Sequence, residues 1–440
     1  MRIADHLGKL SWTLGDKALF LVYGFVVRLW QISLLPRAEF GLYGHLEVWH
    51  ALIFTLSEGL ALTAMIKFGV DEEQRGSVNK QTGLLHLATC IGASLLLASL
   101  FLLFPAVPQF FGEPRLSDVA LYLPVYVLVT IPRSYCLKFL YRDLQMRELF
   151  FVNLTWFATM AGGTLVLELT RGLRSFEDLA LVHIFGAIVS SLHLLWVTRE
   201  QLVFRSRVKA NFRSILRFGV NQAGSVGLAS VGNMLDRLII QKFFGTDGVG
   251  LYATAHTFFR AFDALRDGMT GVIYPGAVKL IARNDAEVIR SFMGKAISFY
   301  LLVNVALFAA LQLGLADLII IGLLPAQYHS AAVLFKVLII VALIHPFSVT
   351  LTYMIARGDT DKLLRFTIVA TFAHLSTSWL VGMSMIQELM PLPTIVLHLI
   401  LNILSFAYIR NYVRLTRHDL TRALPDSLRY LKQLVERPRT

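Results

Sequence analysis

Charge is the scarcest property of this chain. Asp, Glu, Lys and Arg make up 16% of its 440 residues, where a soluble domain carries about a quarter. Hydrophobic residues reach 56% and the mean hydropathy is +0.62. A soluble globular class is excluded, and a polytopic membrane protein takes its place. Cysteine is nearly absent. Cys90 and Cys136 lie in apolar runs at a spacing that fits no disulfide framework and no metal site, so both are expected as small core residues. There is no phosphate-binding glycine loop and no His-Glu metal motif, so no catalytic residue and no metal ligand is assigned. A small-residue cleavage site is missing near the first apolar run, which is therefore expected to stay as a helix.

What remains is a series of apolar windows of about 20 residues, each long enough to span a bilayer. About twelve such windows follow one another from residue 18 to residue 412. The expected fold is an all-α integral membrane protein of about twelve transmembrane helices. Their connections alternate in charge. Segments 67–80, 138–147, 199–213, 279–290 and 357–365 are basic, whereas 36–40, 105–117, 170–177, 323–330 and 387–393 are short and poor in Lys and Arg. By the positive-inside rule the basic set is cytoplasmic, which with an even number of spans puts both termini there. The net charge of +12 then reflects topology, and its natural partner is the anionic headgroups of membrane lipids. The basic loops carry no nucleic-acid module, so DNA and RNA are excluded as partners.

The longest basic loop divides the chain. Residues 1–198 form an expected N-lobe of six helices, 199–214 a basic cytoplasmic linker, 215–414 a C-lobe of six helices, and 415–440 a basic tail. In the tail, Leu428, Leu431, Leu434 and Val435 form an apolar stripe compatible with a short amphipathic helix on the inner leaflet.

An internal repeat supports the division. A shift of 209 residues lays Arg28 on Arg237 and Leu29 on Leu238. It also lays Gly41, Leu42 and Tyr43 on Gly250, Leu251 and Tyr252, and Glu58-Gly59 on Asp267-Gly268. A gapless offset of this size indicates duplication. Two halves with even numbers of spans share one orientation, which makes the expected symmetry a pseudo-twofold along the membrane normal.

The ionisable residues at membrane depth define the candidate site, because each costs roughly 3 kcal/mol or more to place there. In the first half they are Lys17, Arg28, Glu47, Glu58 and Arg133; in the second, Asp236, Arg237, Arg260, Asp263, Arg266 and Asp267. Arg28 stands eight residues before Pro36, roughly 12 Å along a helix, and Arg237 matches it in depth. Guanidinium grips phosphate bidentately, so Arg28, Arg237, Arg133, Arg260 and Lys17 are assigned to a cationic substrate-binding cavity. The plainer alternative is pairing with a neighbour, such as Asp236 with Arg237, although adjacent helical residues point about 100° apart. His256, Arg260, Asp263 and Asp267 share one helix face, and the 209 offset lays them on Glu47, Ala51, Phe54 and Glu58. Glu47, Glu58, Asp263 and Asp267 are assigned to ion coupling, by H⁺ or Na⁺, or to gating. An internal ladder of Arg260 with Asp263 or Asp267 is the competing reading. Segment 243–250 is expected as a tight turn between antiparallel helices. Gly219, Gly224, Gly227, Gly232, Pro124, Pro132, Pro275 and Pro346 mark places where helices bend or pack closely. His345 and His374 are read as satisfied core histidines.

LRFGV (216–220), the helix ending MLDRLIIQKFFG, VGLYATA and Pro275 beyond it resemble the seventh and eighth helices of Wzx-like polysaccharide-exporting flippases. These form the PST branch of the MOP (multidrug/oligosaccharidyl-lipid/polysaccharide, MATE-like) superfamily. LLPRAEFGLYG (34–44), FLYRDLQMRELFFVN (139–153) and MIARGDTDK (354–362) are similar to further segments of that family. The resemblance implies two six-helix lobes in a V and alternating access. It implies transfer of an undecaprenyl-pyrophosphate-linked oligosaccharide across the bacterial inner membrane for surface polysaccharide such as O-antigen or exopolysaccharide. It implies a transporter with no cofactor, working beside polysaccharide polymerase or export machinery. Rival readings are an ion-coupled drug exporter of the same superfamily, a membrane glycosyltransferase or polymerase, and a non-transporting scaffold.

Overall fold

The computed structural model describes residues 12–413 apart from 13–14, 17, 21, 70, 144, 207 and 284–285, together with Thr416, Asp419 and Pro425. Among the described residues there is no strand. The first helix, α1, is Ala18–Leu34. Then come α2 (Arg37–Phe68), α3 (Arg75–Leu103), α4 (Leu116–Arg142), α5 (Met146–Thr170) and α6 (Phe176–Thr198). A bent helical segment, Phe212–Arg283, breaks only at Gly245, giving α7 (212–244) and α8 (246–283). The chain closes with α9 (Glu287–Leu323), α10 (Ala326–Arg357), α11 (Thr360–Ser384) and α12 (Gln387–Arg410). Nine of the described helices are long and apolar enough to cross a membrane by length and composition. The short α1 and the charge-bearing α7 and α8 complete the expected set. The stripe at 428–435 lies outside the described residues.

The turn expected over 243–250 shrinks to one residue. Gly245 has φ 68° and ψ −176°, a left-handed conformation that glycine adopts without strain, so helix resumes at once on either side. Tyr252 donates to Asp236 Oδ2 at 2.9 Å from the other side of that bend, which shows that the arms fold back on each other. Elsewhere the usual signals act. Leu35 is extended before Pro36 (φ −100°, ψ 146°), as a residue preceding proline prefers, and α2 starts one residue later. Ser175 caps α6 by accepting from the Asp178 N–H. Gly358, at φ 88°, ends α10 with its N–H on Met354 O and Ile355 O.

Among the described residues three helices carry π-turns: Tyr23–Val27 in α1, Glu58–Leu62 in α2 and Leu311–Leu315 in α9. The first ends where Arg28 begins and the second opens on Glu58, so two candidate site residues flank a widened turn, a frequent companion of functional positions. α10, expected as one span, is broken: a 3₁₀ turn over His345–Ser348 separates helical pieces Ile340–Ile344 and Val349–Arg357. Pro346 lacks the N–H that would continue the ladder.

Packing groups the residues into two units, Met1–Ala253 and Thr254–Thr440. In the first, Leu62, Met65, Phe139, Leu149 and Leu194 form part of a buried core between α2, α4, α5 and α6. In the second, Met293, Ile297, Met354 and Ile409 do the same for α9, α10 and α12. Outward faces are apolar too: Leu96, Leu103, Leu169, Leu192, Leu313 and Phe372 are all exposed, as expected of surfaces that meet lipid.

The repeat reappears as geometry within the first unit. A methyl group at Gly41 would collide with the Thr246 carbonyl oxygen, and one at Gly250 with the Arg37 carbonyl oxygen. Thr246 is Arg37 shifted by 209, and Gly250 is Gly41 shifted by 209. The two contacts are therefore one contact seen twice. A methyl at Gly44 would meet Ala253 Cβ at 3.5 Å, and these two residues are equivalents of each other under the same shift. The starts of α2 and α8 thus pack across a local pseudo-twofold.

Candidate functional site

α2 carries a polar stripe whose members each find a partner. Glu39 takes two hydrogen bonds from Arg115, at 2.6 and 3.1 Å, and one from the Phe176 N–H at 2.9 Å. One turn on, Tyr43 Oη shares a hydrogen bond with His183 Nδ1 at 3.1 Å. Glu47 accepts from Arg28 Nη2 at 2.9 Å. His50 shares a bond with Thr130 at 3.3 Å and stacks on Tyr126, centroids 4.1 Å apart. Ser57 meets His86 Nδ1 at 2.5 Å, and His86 Nε2 meets Ser134 at 2.8 Å. Glu58 pairs with Lys138. Positions 39, 43, 47, 50 and 57 follow the helical spacing of three, four and seven residues, so one face of α2 is tied to α1, α3, α4 and α6, with Glu58 beside it.

Arg28 is the centre of this stripe. It is 2% exposed. Its guanidinium lies over the rings of Phe40 and Tyr43, at 4.9 and 4.6 Å, while its Nε is buried with no hydrogen-bond partner. Cation–π contact and the Glu47 carboxylate together replace the hydration it has lost. Glu47, expected as a coupling residue, is thus the counter-ion of Arg28, with a quarter of its side chain (26%) still exposed.

Arg133 forms a second buried cation. Its Nη2 donates to Asn153 Oδ1 at 2.6 Å, and Asn153 Nδ2 donates to the buried Asp16 at 2.7 Å. Asn153 therefore relays between a buried base and a buried acid. The guanidinium sits 3.9 Å above Trp156. Its Nε and Nη1 are buried without hydrogen-bond partners. Trp156 stacks on Phe157, and Phe157 on Tyr23, which reaches His183 at 3.5 Å. A run of aromatic planes so links the surroundings of Arg133 to those of Arg28.

Arg237 is half-buried and donates Nη1 to the Gly44 carbonyl at 2.7 Å. Its neighbour Asp236 is buried and receives Tyr252. In the second unit Arg266 joins Asp263 at 3.1 Å and Asp267 at 3.3 Å, which makes a charged ladder on α8. Asp267 and Arg260 are exposed. Lys17 lies outside the described residues. The structure brings Arg28 and Glu47 together, joins Arg133 to Asp16 at one remove, and places Glu58 with Lys138. Asp16, Asn153, Trp156 and His183 do not stand out in the sequence, because hydropathy and charge patterns do not reveal which side chains meet across helices.

This arrangement of apolar helices with interior ion pairs has the fold of the MOP superfamily of transporters. The chain is similar to an inward-facing multidrug resistance MATE family transporter of that superfamily, with TM-score 0.68 and 15% identity over 90% of this chain and 94% of the other. It is similar to the lipid II flippase MurJ in an inward closed conformation, with TM-score 0.67 and 10% identity over 99% and 94%. It is also similar to a MOP superfamily transporter from Pyrococcus furiosus described as having a binding pocket of reverse polarity, with TM-score 0.57 and 14% identity over 93% of each chain. No curated protein matches the chain. Residues 33–333 match the model of a family described as polysaccharide biosynthesis protein, and the chain belongs to that family.

Proposed function

We propose that the protein is a flippase that moves an undecaprenyl-pyrophosphate-linked oligosaccharide across the bacterial inner membrane, by alternating access, for surface polysaccharide. The observation that carries this reading is the pair of buried guanidinium groups, Arg28 and Arg133, inside one unit of a chain from a polysaccharide biosynthesis family. Guanidinium recognises phosphate through parallel N–H donors, and a headgroup bearing two phosphates needs cationic donors to leave water. Arg28 reaches the substrate by exchanging Glu47 for a phosphate oxygen, and Arg237 by exchanging the Gly44 carbonyl. Arg133, Arg260 and Lys17 complete the cationic set. The acyl chain stays in lipid while the headgroup crosses. Lobes at 1–198 and 215–414, both termini in the cytoplasm, and contact with a polymerase or export partner belong to the same proposal. The lipid II flippase of similar fold supports a lipid-linked substrate.

A drug exporter is the second reading, favoured by the fold shared with a multidrug transporter. The experiment that separates them is flipping of a lipid-linked oligosaccharide in proteoliposomes. Wild-type protein is expected to flip it, with Arg28→Ala and Arg237→Ala each slower by tenfold or more, on the order of 1.4 kcal/mol. Wild-type rates in both variants overturn the site, and no flipping by wild type overturns the function.

A further inference from the structure

We propose that the connection between α6 and α7, residues 199–211, is a strap laid along the membrane surface, and that its outer side binds the headgroups of anionic phospholipids. The proposal does not depend on what the protein carries.

The inner side of the strap is fixed by hydrogen bonds to the start of α3. The Val203 carbonyl accepts from Asn79 Nδ2 at 3.0 Å, and the Ala210 carbonyl from Gln81 Nε2 at 3.0 Å. Ser206 Oγ accepts from the Ser77 N–H at 3.2 Å and donates to the Val208 carbonyl at 2.7 Å. The Ala210 N–H donates to Ser77 Oγ at 3.0 Å. Ser77 lies in the first turn of α3, where N–H groups have no partner inside the helix, so the strap satisfies one of them from outside. A methyl group at Gly76 would stand 2.1 Å from the Arg205 carbonyl oxygen. Only glycine lets the strap lie this close. Ala210 itself is buried with Ala64, Val78 and Ile215.

The outer side is apolar and basic at once. Val203, Phe204, Val208 and Phe212 are each at least 40% exposed, and Arg205, Lys209 and Arg213 stand exposed among them. Residues 199–217 hold six Lys or Arg against one acid, Glu200, which faces Arg199 at 4.0 Å. The acids before α3, Asp71, Glu72 and Glu73, are matched in number by Lys67, Arg75 and Lys80, so the strap keeps its positive surplus. Isolated exposed apolar side chains mean little. Several of them interleaved with cations suit a lipid interface, where the apolar groups enter the acyl boundary and the cations meet phosphate.

The depth of the strap agrees. α3 has 29 residues, about 43 Å of helix, against roughly 30 Å of hydrocarbon. Its uncharged part is residues 84–103, which alone fills that thickness. Positions 76–81, where the strap is bonded, therefore lie roughly 5–12 Å beyond the hydrocarbon, among the headgroups. Trp196 is exposed near the end of α6, with Arg199 5.9 Å from its ring, and tryptophan collects at membrane–water interfaces. Val220 continues the exposed apolar surface onto α7. An acidic soluble protein would suit the cations, but apolar side chains at this depth favour lipid.

The test uses full-length protein. Bound phospholipid is counted by mass spectrometry after exchange with equal amounts of phosphatidylglycerol and phosphatidylcholine. Wild type is expected to retain phosphatidylglycerol severalfold over phosphatidylcholine. Arg205→Gln/Lys209→Gln/Arg213→Gln should bring that ratio close to one. Phe204→Ser/Val208→Ser and Gly76→Ala should each lower it by half or more, although neither changes the charge. Arg147→Gln/Arg365→Gln, which removes exposed cations from two other basic connections, is the control and should keep the wild-type ratio. If Gly76→Ala does not fold, the variants at exposed positions carry the test. A spin label on Phe204→Cys in nanodiscs of the same lipids gives the depth, since Cys90 and Cys136 are buried. It is expected to be shielded from a water-soluble nickel chelate and open to oxygen. A wild-type ratio of one, an equal fall in the control, or a label open to the chelate overturns the proposal. Displacement of the phospholipid by soluble polyglutamate overturns it in favour of an acidic protein partner.

Discussion

Gly41 and Gly250 are equivalent partners across a pseudo-twofold, each letting the backbone of one helix reach a carbonyl oxygen of the other. A side chain at either position meets backbone, which cannot swing aside. Gly41→Ala and Gly250→Ala are each expected to cost about 1–3 kcal/mol, the usual cost of overpacking. The double variant is expected to cost less than the sum, because one seam relaxes once. Gly92, with nothing within 4 Å of its missing Cβ, is the control: Gly92→Ala should be neutral or stabilising by up to about 1 kcal/mol. Thermal unfolding in detergent checks all four.

Removing Glu47 strands Arg28. Breaking one side of a buried pair costs about 3–5 kcal/mol, whereas replacing both sides with apolar groups is far milder. Glu47→Ala is therefore expected to be less stable than Arg28→Met/Glu47→Leu, as measured by unfolding midpoints. The double variant should be well folded yet inactive in flipping, which separates stability from function.

Asn153 is the hinge pin between Arg133 and Asp16. Asn153→Leu keeps the volume but leaves both ions without their shared partner. A loss of about 1–3 kcal/mol for each polar group left unsatisfied is expected. Asp16→Asn in the same background should recover part of it, because a neutral amide is cheaper to bury than a carboxylate. The readout is a double-mutant cycle on unfolding midpoints.

Beyond the last span, Asp419 takes Arg290 at 2.7 Å and the Thr416 N–H and hydroxyl, each also at 2.7 Å. Burial pushes its carboxyl up, but these hydrogen bonds outweigh it and hold the group down at about 2. A carboxylate with a lowered value stabilises the fold above its ordinary range and loses that contribution as pH falls toward the lowered value. The tether is therefore expected to be complete at neutral pH and above, and to weaken only between about pH 4 and pH 2. Arg290→Ala should release it at any pH. Protease cleavage after residue 413 reports the release.

The architecture was legible because lipid imposes long apolar runs and punishes buried charge, so Arg28, Arg133 and Arg237 stood out from a list of letters. The repeat was legible for the same reason, and the contacts of Gly41 and Gly250 give it physical form. Partners were not legible. That Arg237 reaches the Gly44 carbonyl and Asp236 the Tyr252 hydroxyl is visible only in space. The Arg133–Asn153–Asp16 relay joins residues 137 apart, beyond any helical spacing. His345 was read as an ordinary core residue, since nothing in a lone His-Pro shows that both ring nitrogens end without a partner. The turn at Gly245 is narrower than the sequence suggests, because Thr246, Asp247 and Gly248 resemble loop residues although one glycine at positive φ suffices.

The bonded stripe on α2 constrains how this helix can move. Its anchors on four other helices lie at successive heights along one side, so twisting α2 about its long axis would tear them all at once. Only displacement of the whole bundle leaves them intact. α2 is therefore a keel: it transmits the tilt of the body it belongs to and has little freedom to act by itself.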